Sequence, residues 1–144
     1  MDIEETRELQ LRMLKGKIHR ATITGADVNY EGSIKIDSSL MQAAGILPFE
    51  QVDIWNITNG ERFSTYALSA PRGSGTIAVN GAAARKVQAG DEIIITAYAW
   101  MSEKQAKGVR PLVVFVDQRN RLKVGETLAH GLEKKESLHL ADDA

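Results

Sequence analysis

Hydrophobic and polar residues alternate over many short stretches of this chain, a pattern typical of β-strands. Ile18, Ala21 and Ile23, for example, lie among polar and β-branched residues. Two later stretches are almost continuously apolar, which is typical of strands that are buried on both faces. The pattern predicts strands at about residues 18–23, 34–36, 52–57, 62–68, 76–79, 92–98 and 112–116.

Turn and capping residues separate the predicted strands. Asn59-Gly60 lies between two strand patterns and predicts a tight β-hairpin. Asp37 can cap a short helix that ends at Gly45. A second short helix is predicted after the loop that begins at Asn80. The chain is therefore expected to be mainly β, with small helical connections.

A weak internal repeat is visible along the chain. The segment 34–37, a small helix and the segment 52–54 are followed by 77–80, a small helix and 93–95. Two such strand-helix-strand halves could build one closed sheet, which would leave no exposed edges. Coincidence among common strand patterns explains the similarity nearly as well. The repeat alone does not decide between these alternatives.

Length and composition are those of one globular domain. The chain has 144 residues, of which 43% are hydrophobic, enough for a real core. We expect a single domain over 1–144, with its core at about 13–120. Residues 1–12 are interpreted as a short helix, and about 126–144 as a polar tail.

Charge and residue usage exclude several classes of function. There is no cysteine, so disulfides and thiol nucleophiles are excluded, which is compatible with the cytoplasm. No apolar run approaches the roughly 20 residues that span a bilayer, and the acidic start is unlike a secretory signal. The formal net charge of -1 supplies no field for a polyanion. We therefore expect a cytoplasmic protein with neither a membrane nor a nucleic acid as its partner.

The Gly32-Ser33 bond is the most informative position for chemistry. A glycine can adopt backbone angles closed to other residues, so the Ser33 hydroxyl could turn back onto the carbonyl carbon of Gly32. That geometry would permit self-cleavage. A Gly-Ser pair is far more often an ordinary turn. Neighbouring motifs are needed to choose between cleavage and turn.

Several motifs together resemble the bacterial aspartate 1-decarboxylase family. They cover about residues 13–120, and their order and spacing also match. Each is weak alone, but their combination is highly specific. They are Met13-Leu-Lys-Gly-Lys-Ile-His-Arg20, Tyr30-Glu-Gly-Ser33, Ala43-Ala-Gly-Ile46, Val52-Asp-Ile-Trp-Asn-Ile-Thr-Asn-Gly60, Arg62-Phe-Ser-Thr-Tyr-Ala67 and Val79-Asn-Gly-Ala-Ala-Ala84.

The resemblance implies a double-psi β-barrel of six or seven strands with short connecting helices. It also implies that the chain is a proenzyme that cuts itself between Gly32 and Ser33, giving fragments 1–32 and 33–144. Ser33 then becomes a covalent pyruvoyl group, which forms a Schiff base with the substrate amine. Thr65 and Asn80 match residues linked to processing, with Thr65 as candidate donor to the Gly32 carbonyl oxygen.

The implied reaction converts L-aspartate to β-alanine and CO2 in pantothenate and coenzyme A biosynthesis. The pyruvoyl group replaces pyridoxal phosphate as the electron sink. Tyr66 matches the family's proton donor. The implied substrate-binding residues are Lys17, Arg62, Thr65, Gly81, Ala82 and Ala83. The family forms homotetramers with active sites between subunits, and some members need a maturation partner.

Other interpretations of single residues stay open. His19 is interpreted either as a polar neighbour of the site or as a structural histidine on its strand. His130 and His139 lie in the polar tail and form no credible ligand set with His19, so we expect no metal. Trp55 fits a core or subunit contact better than catalysis. Two rival functions are an unprocessed barrel that acts as a binding module and a swapped-hairpin DNA-binding protein.

Overall fold

The computed structural model describes residues 9–123, which form one mainly β unit with short helices. The strands of this part are β1 (Gln10–Thr22), β2 (Gly25–Asp27), β3 (Ser33–Asp37), β4 (Gln51–Asn56), β5 (Arg62–Ala70), β6 (Ile77–Asn80), β7 (Glu92–Ser102) and β8 (Leu112–Phe115). The helices of the same part are α1 (Ser38–Ala44), a 3-10 helix (Gly81–Lys86) and α2 (Glu103–Ala106).

The predicted mainly β fold and all seven predicted strands are confirmed. The three-residue strand β2 and helix α2 were not predicted, so the described part has eight strands rather than six or seven. Residues 10–12 belong to β1, so the helix expected over 1–12 is wrong there. The rest of that segment, and the predicted tail at 126–144, lie outside the described residues.

The connection between β1 and β2 requires the sheet to close into a barrel. The strand order is β2-β6-β3-β5-β4-β7-β1-β8, which places β1 and β2 near opposite ends. In a flat sheet these strands would be about 29 Å apart, since neighbours are spaced by about 4.8 Å. Only two residues join Thr22 to Gly25, and this link reaches at most about 11 Å. The sheet therefore curls until its ends meet.

The barrel interior is a single apolar core. Along β3, Ile34 and Ile36 are fully buried while Lys35 between them is exposed, as the two-residue period of a strand requires. Helix α1 contributes Leu40 and Met41 to the same cluster. The outward positions of each strand are thus free to build functional surfaces.

The internal repeat is real, since equivalent strands of the two halves pair around a two-fold relationship. Strand β3 runs antiparallel to β6, with Ile34 opposite Val79 and Ile36 opposite Ile77. Strand β4 likewise runs antiparallel to β7, with Ile54 opposite Ile95. This pairing favours a true repeat over coincidence.

Local signals for turns and caps are also confirmed. Asp37 caps α1 by accepting a hydrogen bond from the Ser39 amide, and the helix ends at Gly45, whose φ is 68°. Strands β4 and β5 pair across the Asn59-Gly60 turn, where Gly60 has a φ of 79°. The capped helix follows directly on β3, the strand that begins with Ser33.

Candidate functional site

A surface cleft of about 370 Å³ surrounds Ser33 on the outer face of the barrel. Ser33 and Lys35 point outward because Ile34 and Ile36 point into the core. The same alternation turns other side chains of β5 and β6 into this cleft, which is lined by Asn29, Tyr30, Glu31, Ser33, Lys35, Tyr66, Leu68 and Asn80.

Ser33 is the buried centre of this cleft. It is 2% exposed and lies opposite Asn80, which is 7% exposed, in the antiparallel pair of β3 and β6. Tyr66 lies on the neighbouring strand β5 and is 36% exposed. The structure thus brings together three of the predicted site residues: the serine, the tyrosine and the asparagine.

The expected unusual backbone at Gly32 is absent. Gly32 does not have a positive φ, and a side-chain carbon built on it would meet no atom within 4 Å. The special backbone lies instead at Gly81, whose φ is 79°. A glycine-only conformation of Gly32 is therefore not what presents the bond to Ser33.

Gly81 packs directly against the backbone of Gly32. A Cβ atom on Gly81 would lie 2.6 Å from the Gly32 Cα and 2.8 Å from the Gly32 nitrogen. Real Cβ atoms do not approach backbone this closely, so only glycine fits. Gly81 thereby fixes the segment that leads into Ser33.

The other predicted processing and loop residues lie around this centre. Thr65 is next to Tyr66 on β5 and is half-buried, but strand alternation turns its side chain toward the opposite face. Ala82 and Ala83 follow Gly81 in the first turn of the 3-10 helix. Ala82 is exposed, and Ala83 packs against the core.

Arg62 lies in a separate cleft. Its guanidinium carbon is 4.9 Å from the centre of the Trp55 ring, a cation-π contact at the other end of β5. This second cleft has a volume of about 290 Å³ and is also lined by Asp53 and Ser64. Tyr66 lies four positions after Arg62, a distance of about 13 Å along the strand.

Lys17 also lies away from the Ser33 cleft, because its strand β1 is not a neighbour of β3 in the sheet. It lies on β1 between Thr96 of β7 and Val113 of β8, and it is 7% exposed. Its burial lowers the pKa of the ammonium group below the ordinary value of 10.5. Neither Lys17 nor Arg62 lines the cleft of its own Ser33.

The remaining candidates have structural surroundings. The ring of His19 contacts Phe115 edge-on, with 5.1 Å between the ring centres, which favours the structural interpretation. Within residues 9–123, no group of three or more histidine, aspartate or glutamate side chains could hold a metal ion. His130 and His139 lie outside the described residues.

Among residues 9–123, the helices are too short or too polar to span a membrane.

Sequence reasoning missed five residues that line the Ser33 cleft, namely Asn29, Tyr30, Glu31, Lys35 and Leu68, and two of them follow from strand alternation. Lys35 lies two positions after Ser33, and Leu68 lies two positions after Tyr66. The two-residue period of a strand places each pair on one face, so alternation could have identified both. Lys35 adds a cation to the cleft, and its Nζ lies 5.9 Å from the centre of the Tyr30 ring.

The fold and the cleft define a β-barrel protein with a buried serine at its candidate active site. A family model described as aspartate decarboxylase matches residues 9–123, which includes every residue of the cleft. The chain belongs to the aspartate decarboxylase family.

Individual relatives match most of the chain. An aspartate 1-decarboxylase of Carboxydothermus hydrogenoformans is 57% identical over 122 residues, which cover 84% of this chain and 96% of the relative. That of Syntrophus aciditrophicus is 56% identical over 115 residues, 80% of this chain and 99% of the relative. Among solved structures, the rationally designed mkDPBB_sym_86 protein is 12% identical, with a TM-score of 0.41 over 55% of this chain and 91% of its own.

Proposed function

We propose that the protein decarboxylates L-aspartate to β-alanine and CO2, and so supplies pantothenate and coenzyme A biosynthesis in the cytoplasm. Membership of the aspartate decarboxylase family supports this function. The burial of Ser33 in a cleft beside Tyr66 and Asn80 is the structural observation that supports this function. Each of these three residues has a distinct role in the proposal.

The first step is self-cleavage of the chain at Gly32-Ser33. The Ser33 Oγ attacks the Gly32 carbonyl carbon, the C–N bond breaks, and the peptide becomes an ester. Elimination releases a chain that ends at Gly32 and leaves dehydroalanine at residue 33. Water then hydrolyses the dehydroalanine. Its nitrogen leaves as ammonia, and a ketone remains at residue 33. Asn80 is the proposed hydrogen-bond donor that stabilises the charge on the Gly32 oxygen of its own subunit. Thr65, whose side chain faces away from its own Ser33 cleft, is the proposed donor from a neighbouring subunit.

The cleft suits a pyruvoyl group at residue 33. Ser33 is almost fully buried, so a ketone formed there is shielded from bulk water. The close contact of Gly81 with Gly32 holds the adjoining segment without any side chain in the way. When present, the group supplies a carbonyl that accepts the electrons left by a departing carboxylate, as pyridoxal phosphate does in other enzymes.

The chain's own residues bind aspartate and move its protons. The Tyr66 hydroxyl donates a proton to Cα after CO2 leaves. The loop of small residues Gly81, Ala82 and Ala83 is the proposed source of backbone contacts to the ligand, and Ala82 is the exposed residue of the three. Arg62 and Lys17 are the proposed partners of the two carboxylates, Arg62 through paired hydrogen bonds and Lys17 as a compact charge.

The separation of these cations from Ser33 supports an active site between subunits. Arg62 and Lys17 line other parts of the barrel surface, so one chain does not assemble the complete set. A homotetramer with sites at its interfaces would bring the cations of one subunit to the Ser33 cleft of another. Assistance by a maturation partner remains part of this proposal.

Intact mass measurement of the purified protein tests the cleavage. We expect two fragments, 1–32 and 33–144, with a pyruvoyl terminus on the second, together with CO2 release from L-aspartate. Ser33→Ala should abolish both. Ser74→Ala is a matched control, because Gly73-Ser74 is a second Gly-Ser pair and lies in an exposed turn. It should leave both unchanged.

A different result would favour one of the rival functions. An uncut chain that releases no CO2, even with cell extract added to supply a maturation partner, would indicate the unprocessed binding module. Salt-dependent binding to duplex DNA would indicate the swapped-hairpin alternative. Activity that survives in Ser33→Ala would contradict the mechanism given above.

A further inference from the structure

Phe49 has a backbone conformation that is unusual for a large side chain. Its φ is 71°, in the left-handed region that favours glycine and asparagine. Phe49 is also 76% exposed, so burial in the core does not explain its conformation. A strained residue that gains nothing from the core points to a local role.

The turn that carries Phe49 is firmly attached to β5. The Phe49 amide donates a hydrogen bond of 2.7 Å to the Ala67 carbonyl, and the Ala67 amide donates one of 2.9 Å to the Glu50 carbonyl. The Glu50 carboxylate accepts from the Leu47 amide at 2.9 Å and forms a 2.6 Å ion pair with Lys15. These contacts hold Phe49 beside the residue that directly follows Tyr66.

The ring of Phe49 stacks on the ring of Tyr66. Their centres are 6.5 Å apart, and the ring planes differ by 25°, an offset stacked arrangement. We propose that Phe49 is a positioning residue that fixes the orientation of the Tyr66 phenol beside Ser33. This inference rests on the proposed function, in which the Tyr66 hydroxyl supplies a proton to the substrate.

The stacked ring restricts Tyr66 because one face of the phenol is covered. A tyrosine that is more than one-third exposed would otherwise sample several side-chain orientations, and only some of them aim its hydroxyl at the substrate. Proton transfer requires the donor within hydrogen-bond reach, so a less ordered phenol lowers the rate of the step. Substrate binding through the cations is not affected by this change.

Phe49→Asn is the informative variant, since asparagine tolerates a positive φ and carries no ring. We expect unchanged cleavage at Gly32-Ser33, unchanged thermal stability or a gain, an unchanged KM and a kcat for aspartate that falls about tenfold. Phe49→Tyr keeps the ring and should retain kcat within about twofold of the parent. Leu47→Ala is the control, because Leu47 is exposed on the same turn.

The double variant with Tyr66→Phe separates positioning from an independent effect. If Phe49 acts through the Tyr66 hydroxyl, Phe49→Asn causes no further loss of kcat once that hydroxyl is gone. An additional tenfold loss, an unchanged kcat in Phe49→Asn alone, or dissociation of the assembly by this variant would overturn the inference.

Failure of the proposed function gives a different result. In that case the parent protein does not release CO2 from aspartate, or Tyr66→Phe leaves kcat unchanged. Carbon-13 labelling of the tyrosines tests the contact itself by NMR. Phe49→Asn should shift the Tyr66 ring signals, because the neighbouring ring current is lost, and absence of a shift would overturn the inference.

Discussion

Gly81 and Gly32 lie in such close contact that a single methyl group on Gly81 would overlap the Gly32 backbone. The Cβ position of Gly81 is 2.6 Å from the Gly32 Cα. The contact joins the start of the 3-10 helix to the bond before Ser33, although 48 residues separate these segments along the chain. It is the structural basis of the first prediction.

Gly81→Ala is expected to impair both folding and self-cleavage. Alanine at a φ of 79° costs about 1–2 kcal/mol, and the overlap with Gly32 adds to that cost. The displaced Gly32 carbonyl should also leave its position beside Ser33. Urea unfolding measures the first effect, and intact mass after prolonged incubation measures the second.

Gly60→Ala is the matched control for this prediction. Gly60 has the same φ of 79°, but a Cβ on it would meet no atom within 4 Å. The Gly60→Ala variant should lose only the stability that the strained backbone costs, and it should retain full cleavage. Equal effects of the two variants would contradict a specific role for the contact between Gly81 and Gly32.

Asp37 is expected to make stability depend on acidic pH. Burial by itself would raise its pKa, but hydrogen bonds from the Ser39 side chain and from the amides of Gly75, Ser39 and Gly73 outweigh burial and lower it below 3.8. The ionised form therefore stabilises the folded state above the ordinary pKa. This contribution is lost as the pH falls through the lowered pKa.

Asp37→Asn should destabilise the protein by about 2 kcal/mol at neutral pH, because hydrogen bonds to a buried charged group are lost. The difference from the parent should shrink as the pH falls below 3.8 and through the lowered pKa. Urea unfolding at several pH values measures this change. A constant difference across that range would show that the Asp37 charge is not responsible.

Lys17→Met is expected to increase stability and weaken substrate binding. Burial lowers the Lys17 pKa, so holding the charged amine in the fold costs free energy at neutral pH. The unfolded chain binds the proton more tightly, and the parent's stability therefore rises with pH between the lowered pKa and 10.5. Lys17→Met should lack this rise.

The same variant should raise KM for aspartate about tenfold or more, since one charge-assisted hydrogen bond contributes about 1.5 kcal/mol or more. Steady-state kinetics and thermal unfolding measure the two effects. Lys104→Met, at an exposed lysine, should change neither. If Lys17→Met has the same KM as the parent protein, Lys17 does not bind the substrate.

Mixed assemblies of two inactive variants test the location of the active site. Ser33→Ala lacks the pyruvoyl precursor, and Arg62→Ala lacks a carboxylate partner but keeps the cleavage site. If Ser33 of one subunit works with Arg62 of another, co-expression restores part of the activity, because some interfaces combine intact residues. If both residues act within one chain, every mixed site is incomplete and the mixture stays inactive.

Local sequence signals predicted much of the fold correctly. Asp37 and Gly45 bound helix α1, and Asn59-Gly60 predicted the pairing of β4 with β5. These features depend on a few neighbouring residues whose backbone preferences are strong. The strand β2 has only three residues, too few for an alternating pattern, and its pairing with β6 comes from distant parts of the chain.

The candidate site was only partly predictable for the same reason. Ser33, Tyr66 and Asn80 were identified through the family motifs, and the structure places them in one cleft. No motif indicated that Phe49 stacks on Tyr66, since the contact depends on how the turn at 47–50 docks on β5.

The mainly β class, the turn and cap positions and the family follow from the sequence alone, because each is encoded in local patterns or in motifs along the chain. The folded structure was needed to show that the positive φ lies at Gly81 rather than Gly32, and that Arg62 and Lys17 lie away from Ser33. The physical reason is barrel closure. It brings distant segments into atomic contact, and strand alternation then determines which side chains share a face.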